Sequence, residues 1–253
     1  MSETILALMQ PTLFPWLGYF DLIDQSETFV LYNDVQFARR SWQTRNRIPT
    51  PNGILLISAS TIKCDQSTSI ELVELDKTND WIKKLIKTLQ LNYKKAKYFD
   101  EVFPWLNEFL LRDFKLLHEF NGTFIREVSQ KIGIQSKLVN SSDIAIKSTD
   151  RVDRLIEISK LHQVAAYLST TGSYGYLNDE NANDRFANEQ IKLLMHNYHP
   201  ASYDTGKIAF EPYMSIIDAL FHCGFNQCIN VIRQGRKENY TFDEFKKLQD
   251  EQR

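Results

Sequence analysis

The 253-residue chain carries 30 Lys and Arg against 32 Asp and Glu, a net charge of −2. That balance excludes a general nucleic-acid binder, which needs a basic excess over a whole face. Hydrophobic residues make up 43% and aromatics 12%, enough for a large core, and the length favours one α/β domain with a helical addition over two domains.

Cys64, Cys223 and Cys228 are odd in number and lack a CxxC spacing, so they read as reduced thiols. The opening MSETILALMQ has no cationic n-region, and no stretch approaches the ~20 apolar residues that span a bilayer. The expectation is a cytoplasmic protein without membrane insertion.

Residues 5–9 are an apolar run suited to a buried strand and closed by Pro11. Residues 14–24 follow as turn then helix, with Leu17, Phe20, Leu22 and Ile23 on a partly amphipathic pattern. Residues 28–32 are rich in β-formers. Strand, helix and strand within some thirty residues predict a right-handed βαβ unit with parallel strands. A further strand is expected over 54–59, after the turn at 49–53.

The middle is helical. Ile82, Leu85, Ile86, Leu89 and Tyr93 form one stripe, with Asn79 or Asp80 as its cap. Phe103, Leu106, Leu110, Phe114 and Leu117 form a second, and Phe124, Ile125, Val128 and Ile132 a third, stopped by Gly133. Alternation then resumes, with Asp150 capping a helix and strands over 164–168 and 191–198. Ser215 opens a helix that Gly224 is expected to end, and the charged tail from Gly235 reads as peripheral. The expected fold is a Rossmann-like α/β protein with a mainly parallel sheet and an inserted helical subdomain. Its parts are 1–79, the helical 80–135, 136–234 and the tail 235–253.

Three constellations could carry chemistry. The turn over 10–19 places backbone N–H groups and a helix start at the carboxyl edge of the sheet, where phosphates and nucleotides bind in open α/β sheets. The competing reading is a tight turn packed by Phe14, Trp16 and Tyr19. Next come Arg39, Arg40, Arg45 and Arg47, four cations inside nine residues of a weakly acidic chain. If that stretch is extended, Arg39, Ser41, Gln43, Arg45 and Arg47 share one face, a set suited to a diphosphate clamp, and Trp42 could stack on a ring. The competing reading is a solvated loop paired with Asp34 and other carboxylates. The third is the hydroxyl- and glycine-rich stretch 169–176, together with His196, His199 and Asp218. The two histidines would point to opposite faces of a strand and make a poor metal pair, so no metal site is expected. His199, at a strand end, is the better functional candidate. No HExxH, Walker or GxSxG motif occurs.

Met9-Gln10-Pro11, Phe14-Pro15-Trp16-Leu17-Gly18-Tyr19-Phe20, the run Asn33-Asp34-Val35-Gln36-Phe37, Trp42 and Arg45-Asn46-Arg47 resemble the opening of the WbqC-like family. Tyr167-Leu168-Ser169, Gly172-Ser173, Tyr176-Leu177 and the stretch from Pro212-Tyr213-Met214-Ser215 to Phe221 resemble its later signatures. The resemblance implies a role in O-antigen or other surface-polysaccharide synthesis, with transfer of glycine or another acyl unit to a nucleotide-linked amino sugar. The opening is also similar, more distantly, to nucleotidylyltransferase-like domains such as pantothenate synthetase, but it lacks their HxGH histidines. Arginines could substitute electrostatically in forming an acyl-adenylate.

With the resemblance, the expected function is an acyl- or aminoacyltransferase acting on a nucleotide-linked amino sugar, and the expected partner is a nucleotide-linked sugar or another phosphorylated small molecule. The alternatives are a non-catalytic nucleotide-sugar binder and an adenylate-forming enzyme. Expected ligand contacts are Gln10, Phe14, Gly18, Tyr19, Gln36, Arg39, Arg40, Trp42, Arg45, Asn46, Arg47, Ser169 and Ser173. His199 and Asp34 are the candidate catalytic groups. The cofactor is open, with ATP and Mg as the candidate, and so is the oligomeric state.

Overall fold

The computed structural model describes residues 3–206 and 208–251. Ile5–Met9 is β1; the chain turns and enters α1 (Leu17–Asp24), then returns as β2 (Thr28–Leu31). The two strands pair in parallel, from Leu6 opposite Thr28 to Met9 opposite Leu31, so the expected βαβ unit is present. β3 (Arg45–Thr50) and β4 (Gly53–Ser58) form an antiparallel hairpin apart from the main sheet. Three helices follow: α2 (Trp81–Tyr93), α3 (Phe99–Leu110) and α4 (Leu117–Lys131).

β5 (Lys137–Asn140) pairs with β2. α5 (Arg151–Leu161) begins at Asp150, whose carboxylate accepts from the N–H groups of Val152 and Asp153, a side-chain cap. It leads to β6 (Ala166–Ser169), on the far side of β1. The short helices α6 (Tyr174–Asp179) and α7 (Ala182–Asn188) precede β7 (Lys192–Met195). α8 (Ile216–Gly235), β8 (Tyr240–Thr241) and α9 (Phe242–Glu251) complete the chain.

The sheet order is β5-β2-β1-β6-β7-β8, parallel except for β8. The chain first builds outward from β1 through β2 to β5, then crosses α5 to build the other way from β6. The gap between the carboxyl ends of β1 and β6 is therefore the topological switch point. Alternating strand residues fill two cores. Ala7, Phe29 and Leu168 pack with α1, α8 and the α2–α4 helices, and Leu6, Val30 and Tyr167 pack with residues of α5, α7 and α9. The result is a mixed α/β fold, consistent with a Rossmann-like arrangement. Among the described residues no helix is long and apolar enough to cross a membrane.

Several expectations change in detail. Residues 39–44 are not extended: Arg40 has a φ of 56°, and the Thr44 N–H bonds back to the Ser41 carbonyl at 3.2 Å. Arg39 therefore does not share a strand face with Arg45 and Arg47. Gly224 breaks the regular helix as expected, but a second helical segment follows it directly. It kinks α8 with a φ of 72°, and a Cβ there would lie 2.6 Å from the Tyr98 ring. The helices over 80–135 form one layer of the main core. The charged tail adds β8 to the sheet and buries Phe242 and Phe245.

Candidate functional site

A cavity of about 490 Å³ opens at the switch point, the place in such sheets where ligands enter. Gln10 and Thr12 reach it from the loop after β1, and Tyr32 and Gln36 from the chain after β2. Trp42 and Gln43 come from the arginine-bearing turn, while Arg151 stands at the first turn of α5. Thr170, Ser173 and Tyr176 close the side beyond β6. Hydroxyls, amides and one guanidinium thus surround aromatic faces, a lining suited to a polar ligand that carries a ring.

The loops are fixed by buried amides. Gln43 Nε2 donates to Gln10 Oε1 at 2.7 Å, and the Leu13 N–H donates to the Trp42 carbonyl at 2.8 Å. Asn121, buried on α4, donates to the carbonyls of Pro11 and Gln43 at 3.0 and 2.9 Å. Asn46 donates to those of Leu13 and Phe14 at 2.9 and 2.8 Å. Phe14 adopts a φ of 45°, unfavourable for a bulky residue, and its carbonyl also accepts from Ser215 Oγ at 2.8 Å. Each buried loop carbonyl named here has a partner.

A second chain of contacts positions Tyr32. Arg154 Nε donates to the Tyr32 hydroxyl at 2.9 Å, and its Nη2 donates to Asp34 Oδ2 at 2.7 Å. Asp34 also accepts from Ser141 Oγ. Burial works against the Arg154 charge, yet the bonds to Tyr32 and Asp34 outweigh it and raise its pKa. The Arg151 guanidinium lies 5.2 Å from the centre of the Tyr176 ring. Burial raises the pKa of Tyr176, so its hydroxyl stays protonated at neutral pH.

The structure brings Gln10, Gln36, Trp42 and Ser173 to this one cavity. Arg39 lines an adjoining cavity of about 580 Å³ that shares Gln36 as a wall, and it donates to the Cys64 carbonyl. Arg40 is exposed. Arg45 and Arg47 are half-buried on the outer side of β3, with the Arg47 guanidinium 5.2 Å from the Trp42 ring. None of these four arginines forms an ion pair among the described residues, whereas others such as Arg112, Arg154, Arg233 and Arg236 do.

Phe14, Gly18, Tyr19 and Asn46 are buried behind the loop. They act through it: Tyr19 donates to the Gln10 carbonyl at 3.2 Å, and Gly18 leaves room for the Trp16 indole. Ser169 is buried at the end of β6, outside the cavity lining. His199 is exposed on the segment tied to the end of α8 by its N–H bond to the Gly235 carbonyl, and it too lies outside that lining. Asp34 stands two hydrogen bonds behind the lining residue Tyr32, through Arg154. Sequence reading missed Tyr32, Asn121, Arg151 and Arg154 as site residues. Tyr32 ends a predicted strand and Arg151 follows a predicted cap, so both positions were open to inference. The folding of Asn121 and Arg154 onto the loops was not.

The family model described as the WbqC-like protein family matches residues 10–229. A relative described as "Uncharacterized protein Rv1507c", from Mycobacterium tuberculosis (strain ATCC 25618 / H37Rv), is 30% identical over 221 residues. The match covers 86% of this chain and 93% of that protein. No solved structure gives a significant match. The chain belongs to the WbqC-like protein family.

Proposed function

We propose that the strand-end cavity binds a nucleotide-linked amino sugar and that the protein transfers an acyl or aminoacyl group, such as glycyl, to the sugar's amine. The observation that carries this reading is the convergence of Gln10, Gln36, Trp42, Arg151 and Ser173 on one cavity at the switch point. Trp42 offers a half-exposed face for a base or sugar ring, with the Arg47 guanidinium 5.2 Å from its ring centre. Arg151 inside the cavity and Arg39 across Gln36 are the cations for the diphosphate. The family's setting in surface-polysaccharide synthesis is the context of the resemblance and supports the same substrate class.

In the transfer, the amine nitrogen bonds to the activated carbonyl carbon, the leaving group departs with its electron pair, and the nitrogen sheds one proton. Asp34 is a positioning residue here, since it holds Arg154 and through it Tyr32. One observation favours the second reading, a binding protein without catalysis. The residues lining the cavity include no carboxylate, histidine, lysine or cysteine to accept that proton.

Incubation with ATP, glycine and an amino-sugar nucleotide, followed by mass spectrometry, separates the readings. AMP, pyrophosphate and a glycylated sugar indicate an adenylate route. Acylation only from a preactivated donor indicates a simple transferase, and unchanged sugar with saturable binding leaves the binding protein.

A further inference from the structure

The β3–β4 ribbon has two unlike faces. Its inner face is buried at Asn46, Ile48 and Ile57, which are 5%, 0% and 4% exposed, while Leu55 opposite Ile48 on that face is 39% exposed. Arg47 and Leu56 pair directly across the ribbon and point the other way, and strand alternation adds Arg45 and Ile54 to their side. Ile54 and Leu56 are 50% and 51% exposed, and Trp42, against Arg47, is 48% exposed. Arg39 and Arg40 are exposed on the turn next to Trp42.

Single exposed apolar residues need no explanation, but this grouping does. Three large apolar side chains share a surface with guanidinium groups that have no carboxylate partner among the described residues, in a chain of net charge −2. Guanidinium groups complement lipid phosphates, an indole settles at headgroup level, and aliphatic side chains reach the acyl boundary. Nucleic acid would satisfy the cations but leave Ile54 and Leu56 wet. We propose that the outer face of the β3–β4 ribbon docks the protein peripherally on an anionic bilayer surface, with Trp42 shared between that face and the rim of the cavity. The inference rests on the ribbon and on the adjoining turn that carries Arg39, Arg40 and Trp42, and its vesicle readout is separate from ligand binding in the cavity.

Flotation of the full chain with phosphatidylcholine vesicles, with and without one-third phosphatidylglycerol, tests it. The expected result is a bound fraction about tenfold higher on the anionic vesicles at low salt, falling as salt is added. Ile54→Ser with Leu56→Ser should lower anionic-vesicle binding about tenfold while the melting transition stays cooperative. Arg45→Gln should weaken it less and flatten the salt dependence. Equal flotation on both lipids, no flotation, or wild-type flotation by the double variant would each overturn the proposal. A solution dimer that the double variant dissociates, without vesicle binding, assigns the face to a second copy and overturns it too. Nucleotide-sugar binding in solution should be unchanged by the double variant, which keeps this outcome separate from that of the cavity.

Discussion

Asn46 Nδ2 donates to the carbonyl oxygen of Phe14 at 2.8 Å, from the inner face of β3 to the strained turn after β1. The same amide holds the Leu13 carbonyl at 2.9 Å. Two motifs 32 residues apart thus fold as one support for the cavity wall. Asn46→Ala should lower unfolding free energy by about 1–3 kcal/mol, since the Leu13 carbonyl loses its side-chain donor and the Phe14 carbonyl keeps only Ser215 Oγ. Denaturant unfolding measures the loss. A change within about 0.5 kcal/mol would contradict the role given to Asn46.

Arg154 links Asp34 to Tyr32, and both members of its ion pair are about one-fifth exposed. Arg154→Met should leave Asp34 without its cation and Tyr32 without its donor. Nucleotide-sugar affinity should fall about tenfold, equivalent to about 1.4 kcal/mol, and Arg154→Lys should restore only part of it, because one ammonium cannot reproduce the forked contact. Equal affinities in all three proteins would remove Arg154 from the site.

Gly18 is set by contact with Trp16. A Cβ there would meet the indole at 2.2 Å, and that indole also packs on Tyr198 and Tyr213. Gly18→Ala should destabilise by about 1–3 kcal/mol through overpacking. In the Trp16→Ala background the same change should be close to neutral. Additive losses in the double variant would show that the contact is not the cause.

Asp24 receives Arg233 through Nε and Nη2 at 2.9 and 2.8 Å and also pairs with Arg236. Burial alone would raise its pKa, but the two arginines outweigh it, and the folded value is lowered. A lowered folded pKa gives stability that is present above the unfolded value of about 3.9 and is lost as pH falls through the folded value. Asp24→Asn should therefore be less stable than wild type at pH 6, with the gap closing below about pH 4. Thermal melts across that range read it, and a constant gap would refute the linkage.

Local chemistry in the sequence carried the strand-end turn, the first βαβ unit and the Asp150 cap, because each depends on neighbouring residues. The arginine segment was harder to read. Its spacing suggested one extended face, but hydrogen bonds among Ser41, Gln43 and Thr44 and the Leu13–Trp42 backbone bond make a turn instead. That turn carries Trp42 into the cavity wall and leaves Arg45 facing outward. Asn121 was invisible as a site residue because it lies on a helix whose periodicity signals only core. Its part comes from tertiary packing that sets α4 beneath Pro11 and Gln43.

The central claim is that the switch-point cavity holds a nucleotide-linked amino sugar. Isothermal titration of UDP- and dTDP-linked amino sugars into wild type and the Gln36→Ala, Trp42→Ala double variant tests it most directly. Saturable one-site binding to wild type, weakened at least about tenfold in the variant with unfolding unchanged, is the result expected. Absence of binding by any of these nucleotide sugars, or equal affinity in the two proteins, would contradict it.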